Sequence, residues 1–191
     1  IDPRFSPTGT HVATVRNGDL YVIDVATGAE ARLTTRPGAE ITNGLAEFVA
    51  QEEMDRMRGF WWAPDGQSIL YQETDTTGME RMHILDPMHP EAEPQAWPYP
   101  RPGQANATVR LGVIPIRGGA TTWVDWDREA YPSLCSVGWP TEGPLTILVQ
   151  DREQHRESLR TVDPRTGATT ELLVEEDAAW LNLDQTVPRW I

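Results

Sequence analysis

Short runs in which apolar and polar positions alternate recur along the chain, and each is bounded by turns rich in Pro, Gly, Asp and Thr, which predicts antiparallel strands joined by tight connections. Three segments share one plan: Phe5-Ser6-Pro7-Thr8-Gly9 followed by HVATV, Trp62-Ala63-Pro64-Asp65-Gly66 followed by QSILY, and Trp139-Pro140-Thr141-Glu142-Gly143 followed by PLTILV. Each is an aromatic, a Pro-containing turn closing on Gly, and a short apolar strand; Pro presets φ for the turn and Gly tolerates its closing geometry. A second strand and a further turn then follow in LYVIDVATGAEARL (20–33) and in LRTVDPRTGATTELL (159–173), whereas RMHILDP (81–87) begins alike and diverges. Alternation at Leu20, Val22 and Leu159, with turns at Ala26-Thr27-Gly28 and Asp163-Pro164-Arg165-Thr166-Gly167, reads as hairpins. A repeated aromatic, turn and hairpin is the signature of propeller blades. The sequence therefore predicts an all-β fold: an incomplete β-propeller of about three blades, built of antiparallel strands over residues 1–191.

The aromatics at Phe5, Trp62 and Trp139 stand 57 and 77 residues apart, and Trp190 would open another unit 51 residues on. A compact blade takes roughly 40 to 50 residues, so material is inserted between repeats. The first insertion, ITNGLAEFVAQEEMDRMRGF (41–60), has helical spacing at Leu45, Phe48, Val49 and Met57 with Asn43 as a cap, predicting a short helix over about 43–58. The second, Pro87 to Arg110, holds six prolines and predicts a structured loop over about 87–105, extended or turning because Pro fixes φ and removes a donor. Three blades cannot close a ring. Both ends of the chain accordingly read as cuts within a longer protein.

Charge narrows the classes of function. With 16 Lys and Arg against 29 Asp and Glu, the formal net charge is −13, which argues against a nucleic-acid partner, since that requires a basic face. No apolar run approaches the roughly 20 residues of a membrane-spanning helix. The single cysteine, Cys135, allows neither an internal disulfide nor a cysteine metal cluster. Every basic residue is Arg, so lysine nucleophiles and Schiff bases are excluded. No GxSxG elbow occurs, and His11, His83, His89 and His155 have no recognisable serine, cysteine or carboxylate constellation around them. Neither a metal nor a cofactor is expected. The acidic run Asp125, Asp127 and Glu129 lacks the glycine and spacing of a calcium loop and reads as a solvated turn. Trp61 and Trp62 read as core packing.

Glu52 and Glu53 are the candidate site. On a helix they follow Phe48 and Val49 by four residues each and so continue the apolar row, which aims them inward or along a cleft. Two adjacent carboxylates repel unless a cation answers them. Arg56, one turn on, could do so as an ordinary intrahelical pair; alternatively the two receive the ammonium group of a ligand.

The segment ITNGLAEFVAQEEMDRMRGFWWAPDG (41–66), together with WPYPRPGQANATVRLGV (97–113), resembles the N-terminal propeller of dipeptidyl peptidase IV and its bacterial relatives in the prolyl oligopeptidase family. That resemblance runs through nearly the whole chain. It implies an eight-bladed propeller covering a C-terminal α/β-hydrolase domain, with Glu52 and Glu53 matching the paired-glutamate motif that binds the free N-terminal amine of a peptide. A serine then cuts after the second residue, typically Pro or Ala. The Ser, Asp and His triad belongs to the hydrolase domain, which these residues do not include, and the arginine that contacts the substrate carbonyl precedes Ile1 in the family's order. No catalytic residue is therefore named here, and the isolated chain is expected to be inactive. The implied partners are a peptide with a free N-terminus, the hydrolase domain of the same chain and, as members are commonly dimers, a second copy. Acylaminoacyl peptidases and oligopeptidases of the same family would not need the amine clamp. A non-catalytic TolB-like propeller that binds partner proteins is the alternative from another class.

Overall fold

The computed structural model describes residues 1–190. Among them fifteen strands and one short helix form three antiparallel sheets of four or five strands and one two-stranded hairpin. The first sheet is a meander of β1 (Arg4–Phe5), β2 (His11–Arg16), β3 (Asp19–Asp24) and β4 (Glu30–Arg32). The last repeats that order with β12 (Ser133–Gly138), β13 (Thr146–Gln150), β14 (Arg156–Val162) and β15 (Thr169–Glu176). The sheet between them contains β5 (Ile41–Asn43), β6 (Phe60–Trp62), β7 (Ser68–Asp75), β10 (Thr108–Pro115) and β11 (Thr122–Trp123). This is the expected antiparallel all-β plan with one small helix.

The middle sheet is apolar on both faces because both faces are covered. Ile69, Tyr71, Ile114 and Trp62 meet Ala13, Val15, Leu20 and Val22 of the first sheet. Leu70, Leu111, Val113 and Trp61 meet Leu134, Ile147, Val149 and Val162 of the last. Successive strand residues point to opposite faces, so Trp61 and Trp62, adjacent in sequence, serve two different interfaces. Both are buried, in keeping with the core reading of the pair.

One edge of the middle sheet determines where the helix sits. β5 and β6 both pair with β7, and their registers join: Asn43 opposes Glu73, and Phe60 opposes Tyr71. Between them, Gln72 accepts from Gly44 N at 2.7 Å and donates to Gly59 O at 2.8 Å. Residues 44 to 59 are thus an excursion from a single interrupted edge strand, closed at its neck by a bridge between Leu45 and Arg58. The neck is so tight that a Cβ on Gly59 would lie 2.3 Å from the Leu45 carbonyl carbon, and only glycine fits.

The helix is shorter than the 43–58 expected. α1 spans Phe48–Glu52, five residues, and Asn43 is a strand residue rather than its cap. A single turn is costly to nucleate and cannot sustain itself; this one ends where Asp55 takes a positive φ and Arg56 N returns to Ala50 O. The proline-rich insertion, expected as a structured loop that is extended or turning, has part of its extended chain paired. Within it, β9 (Gln95–Pro98) pairs with β8 (Arg81–Ile84), with Arg81 opposing Pro98. Pro98 closes the ladder at the last position of an edge strand, where the missing N–H is tolerated.

Candidate functional site

The site is built from the excursion upward. Glu47 caps α1, its carboxylate accepting from Ala50 N at 3.0 and 3.1 Å. Gln51 Nε2 donates to Ala46 O at 2.6 Å, and Glu53 N to Val49 O at 2.9 Å. The chain then reverses through Asp55, at φ 53°, a left-handed conformation that Asp tolerates better than most side chains. Arg56 N returns to Ala50 O at 2.8 Å.

Two side chains moor this excursion to the sheets. Met54 is buried with Cys135 and Leu148 of the last sheet, while Gln185 Nε2 donates to Met54 O at 2.5 Å and Cys135 O at 3.0 Å. Arg56, only 4% exposed, donates from Nε to Leu134 O in β12 (3.1 Å), from NH1 to Arg58 O (2.6 Å) and from NH2 to Gln72 Oε1 in β7 (2.8 Å). The Glu47 carboxylate stands 3.8 Å from its NH2, and its guanidinium lies 5.9 Å from the Trp61 ring centre. Burial pulls the Arg56 pKa down to about 10 and Glu47 pushes it back up, so the group is charged at neutral pH.

The ordinary intrahelical pair is therefore not formed. Arg56 turns into the core between two sheets, and Glu52 and Glu53, at the last turn of α1 and its C-cap, are exposed with no salt-bridge partner among the described residues. Glu52 continues no buried apolar row, since Phe48 is itself exposed and rests edge-on against Tyr99 at 5.0 Å between ring centres, and Glu53 is exposed although Val49, four residues before it, packs partly buried beside Met54. A cleft of about 480 Å³ begins two residues after Glu53; Asp55, Met57, Arg58, Arg4, Ser136 and Gln185 are among its walls. It shares Arg4, Arg58, Trp61 and Val137 with a larger hollow of about 750 Å³ that runs along β1, β6 and β12 and is lined by Phe5, Trp62, Trp139 and Trp190. The concavity thus follows one edge strand from each of the three sheets, and neither Glu52 nor Glu53 is among the residues that line it.

Other sequence candidates lie elsewhere. Asp127 Oδ1 accepts from Glu129 N and Ala130 N at 3.1 and 2.9 Å, closing a turn. His89 faces Glu91 at 3.3 Å on the surface, and His11 lies 3.8 Å from Asp24. Among the described residues no group of three or more His, Cys, Asp or Glu is arranged to hold a metal ion, and no helix is long and apolar enough to cross a membrane. Sequence reasoning missed the supporting set of Glu47, Met54, Gln72 and Gly59. The usable signal was the pair Gly44 and Gly59, which brackets the excursion.

Comparison with known proteins gives this geometry a context. The family model of the dipeptidyl peptidase IV (DPP IV) N-terminal region matches residues 1–190. Dipeptidyl peptidase 8 of Homo sapiens is 27% identical over 195 residues, covering 86% of this chain and 22% of the relative. A Neosartorya fischeri protein named "Probable dipeptidyl peptidase 4" is 29% identical over 195 residues, covering 94% of this chain and 25% of the relative. The crystal structure of Porphyromonas gingivalis dipeptidyl peptidase 4 superposes with a TM-score of 0.84 at 21% identity, over 94% of this chain and 26% of that one. The chain thus spans about a quarter of the length of these relatives. Matched over all but its final residue, the chain belongs to the dipeptidyl peptidase IV N-terminal region family.

Proposed function

We propose that this chain is the substrate-gating part of a serine exopeptidase that releases Xaa-Pro and Xaa-Ala dipeptides from peptide N-termini, with Glu52 and Glu53 binding the substrate α-ammonium. The observation that carries the reading is the unpaired state of the two carboxylates: Arg56, the cation one turn on, is spent on Leu134 O, Arg58 O and Gln72, which leaves Glu52 and Glu53 exposed and without a salt-bridge partner among the described residues, two positions before Asp55 enters the cleft wall. The family's relatives are dipeptidyl peptidases by name.

Two adjacent carboxylates hold one ammonium by charge-assisted hydrogen bonds, which are shorter and stronger than neutral ones. A blocked amine brings no charge and leaves them unanswered. With the amine fixed, the distance to a serine nucleophile in a C-terminal hydrolase domain of the same chain counts off two residues. Specificity then comes from charge and reach together. The whole enzyme pairs with a second copy of itself in this reading.

In the full-length enzyme, Glu52→Gln or Glu53→Gln should lower kcat/KM for free-amine substrates on the order of ten- to a thousandfold, chiefly through KM. N-acetylation of the peptide should abolish cleavage by the unaltered enzyme. Unchanged kinetics in both variants, or efficient turnover of the acetylated peptide, would remove the amine clamp from the account.

A further inference from the structure

We infer that Arg56 is a positioning residue for the amine pocket, setting where Glu52 and Glu53 stand relative to the cleft by tying their loop to two sheets at once. The inference rests on the amine-binding reading of that pair. A five-residue helix does not hold its own orientation, so its tertiary anchors must. The Met54 side chain and the Gln185 amide engage the last sheet, and the neck bridge engages only the excursion itself. Arg56 alone in the excursion bonds by side chain to both neighbouring sheets, through Leu134 O in β12 and Gln72 in β7, and it closes the excursion on itself through Arg58 O.

The chemistry of the group supports a geometric role. A buried charge is a costly way to fill space, and an apolar side chain of like volume packs there at least as well. The guanidinium instead supplies a rigid fork that reaches three acceptors in different directions, which an ammonium on a flexible stem does not reproduce. Glu47 completes the device. It lies 3.8 Å from Arg56 and caps α1 through Ala50 N, so the anchored cation also fixes the start of the turn that ends in Glu52 and Glu53. A shift of a carboxylate by about an ångström is enough to cost binding severalfold.

The test uses the full-length enzyme and a chromogenic Xaa-Pro substrate with a free amine. Arg56→Lys keeps the charge and loses the fork; KM should rise at least about tenfold while kcat stays within about twofold. In a Glu52→Gln, Glu53→Gln background the same change should raise KM no further, because there is no pair left to position. Gln72→Leu, which removes one of the three acceptors and leaves Arg56 in place, should raise KM about threefold and serves if Arg56→Lys fails to fold. A role confined to stability would instead lower the melting temperature and the active fraction with KM unchanged, and that result overturns the inference. So does an equal multiplication of KM in the glutamate-free background. If the double glutamate variant has unaltered KM, the amine-binding reading itself falls; if its KM is raised while Arg56→Lys and Gln72→Leu leave KM unchanged, only the positioning role falls.

Discussion

Glu157 shows how a single carboxyl in a sheet can work against the fold it belongs to. It lies in β14 directly opposite Glu175 on one side and Gln150 on the other. It is 9% exposed, and its Oε2 has no hydrogen-bond partner. Burial raises its pKa above the ordinary 4.5, and the facing Glu175 raises it further. The folded protein therefore binds this proton more tightly than the unfolded chain does. Stability falls as pH rises from about 4.5 through the raised folded value, and the penalty remains at neutral pH. Glu157→Gln, which imitates the protonated form, should raise the melting temperature at pH 7 to 8 and leave it near the wild-type value below pH 4.5. A difference that does not vary with pH between 4 and 8 would refute the assignment. Like charges facing each other across strands are visible only once register is known, and nothing in the separate strand sequences reveals that residue 157 meets residue 175.

At the scale of elements, the interrupted edge strand is the feature that carries the candidate site. β5 and β6 continue one another along β7, and residues 44 to 59 leave and return through two glycines. Gly59→Ala would place a Cβ 2.3 Å from the Leu45 carbonyl carbon and force the neck apart, at a cost of at least about 2 kcal/mol. Gly38→Ala, whose Cβ would meet nothing nearer than a Glu40 carboxylate oxygen at 3.4 Å, should stay within about 0.5 kcal/mol. Chemical denaturation of both variants in the full-length protein checks the contrast; equal losses would mean the neck is not the tight point. The sequence made the insertion legible through helical spacing between strand repeats, but placed the helix over 43–58 with Asn43 as its cap. Spacing records which residues could share a helical face, while the length of this turn is set by the reversal at Asp55 that carries Met54 and Arg56 into the core. Similarly, the prolines of the second insertion marked a connection, and only the pairing of Gln95–Pro98 with Arg81–Ile84 made part of it a strand.

At the scale of the whole molecule, three sheets are joined by two apolar layers, and the middle sheet contributes to both. Position in that stack decides what a leucine is worth. Leu111 in β10 is fully buried between the middle and last sheets, so Leu111→Ala should cost about 2 to 5 kcal/mol through lost contact and a residual cavity. Leu172, in the outermost strand β15, is 47% exposed, and its replacement by Ala should cost less than about 1 kcal/mol. Comparable destabilisation of the two in denaturant titrations would contradict the layered core.

What the sequence by itself determined is what local chemistry encodes: the alternation that makes strands, the Pro and Gly that close their turns, the spacing of the repeats, and the adjacency of two carboxylates at Glu52 and Glu53. The tertiary structure decided the fate of Arg56. Read along the chain it is the natural partner of those glutamates; in the fold it turns to a carbonyl 78 residues away in sequence and to Gln72 on the neighbouring strand. The physical reason is that a guanidinium goes where the most acceptors converge, and convergence from two different sheets exists only after the sheets have stacked.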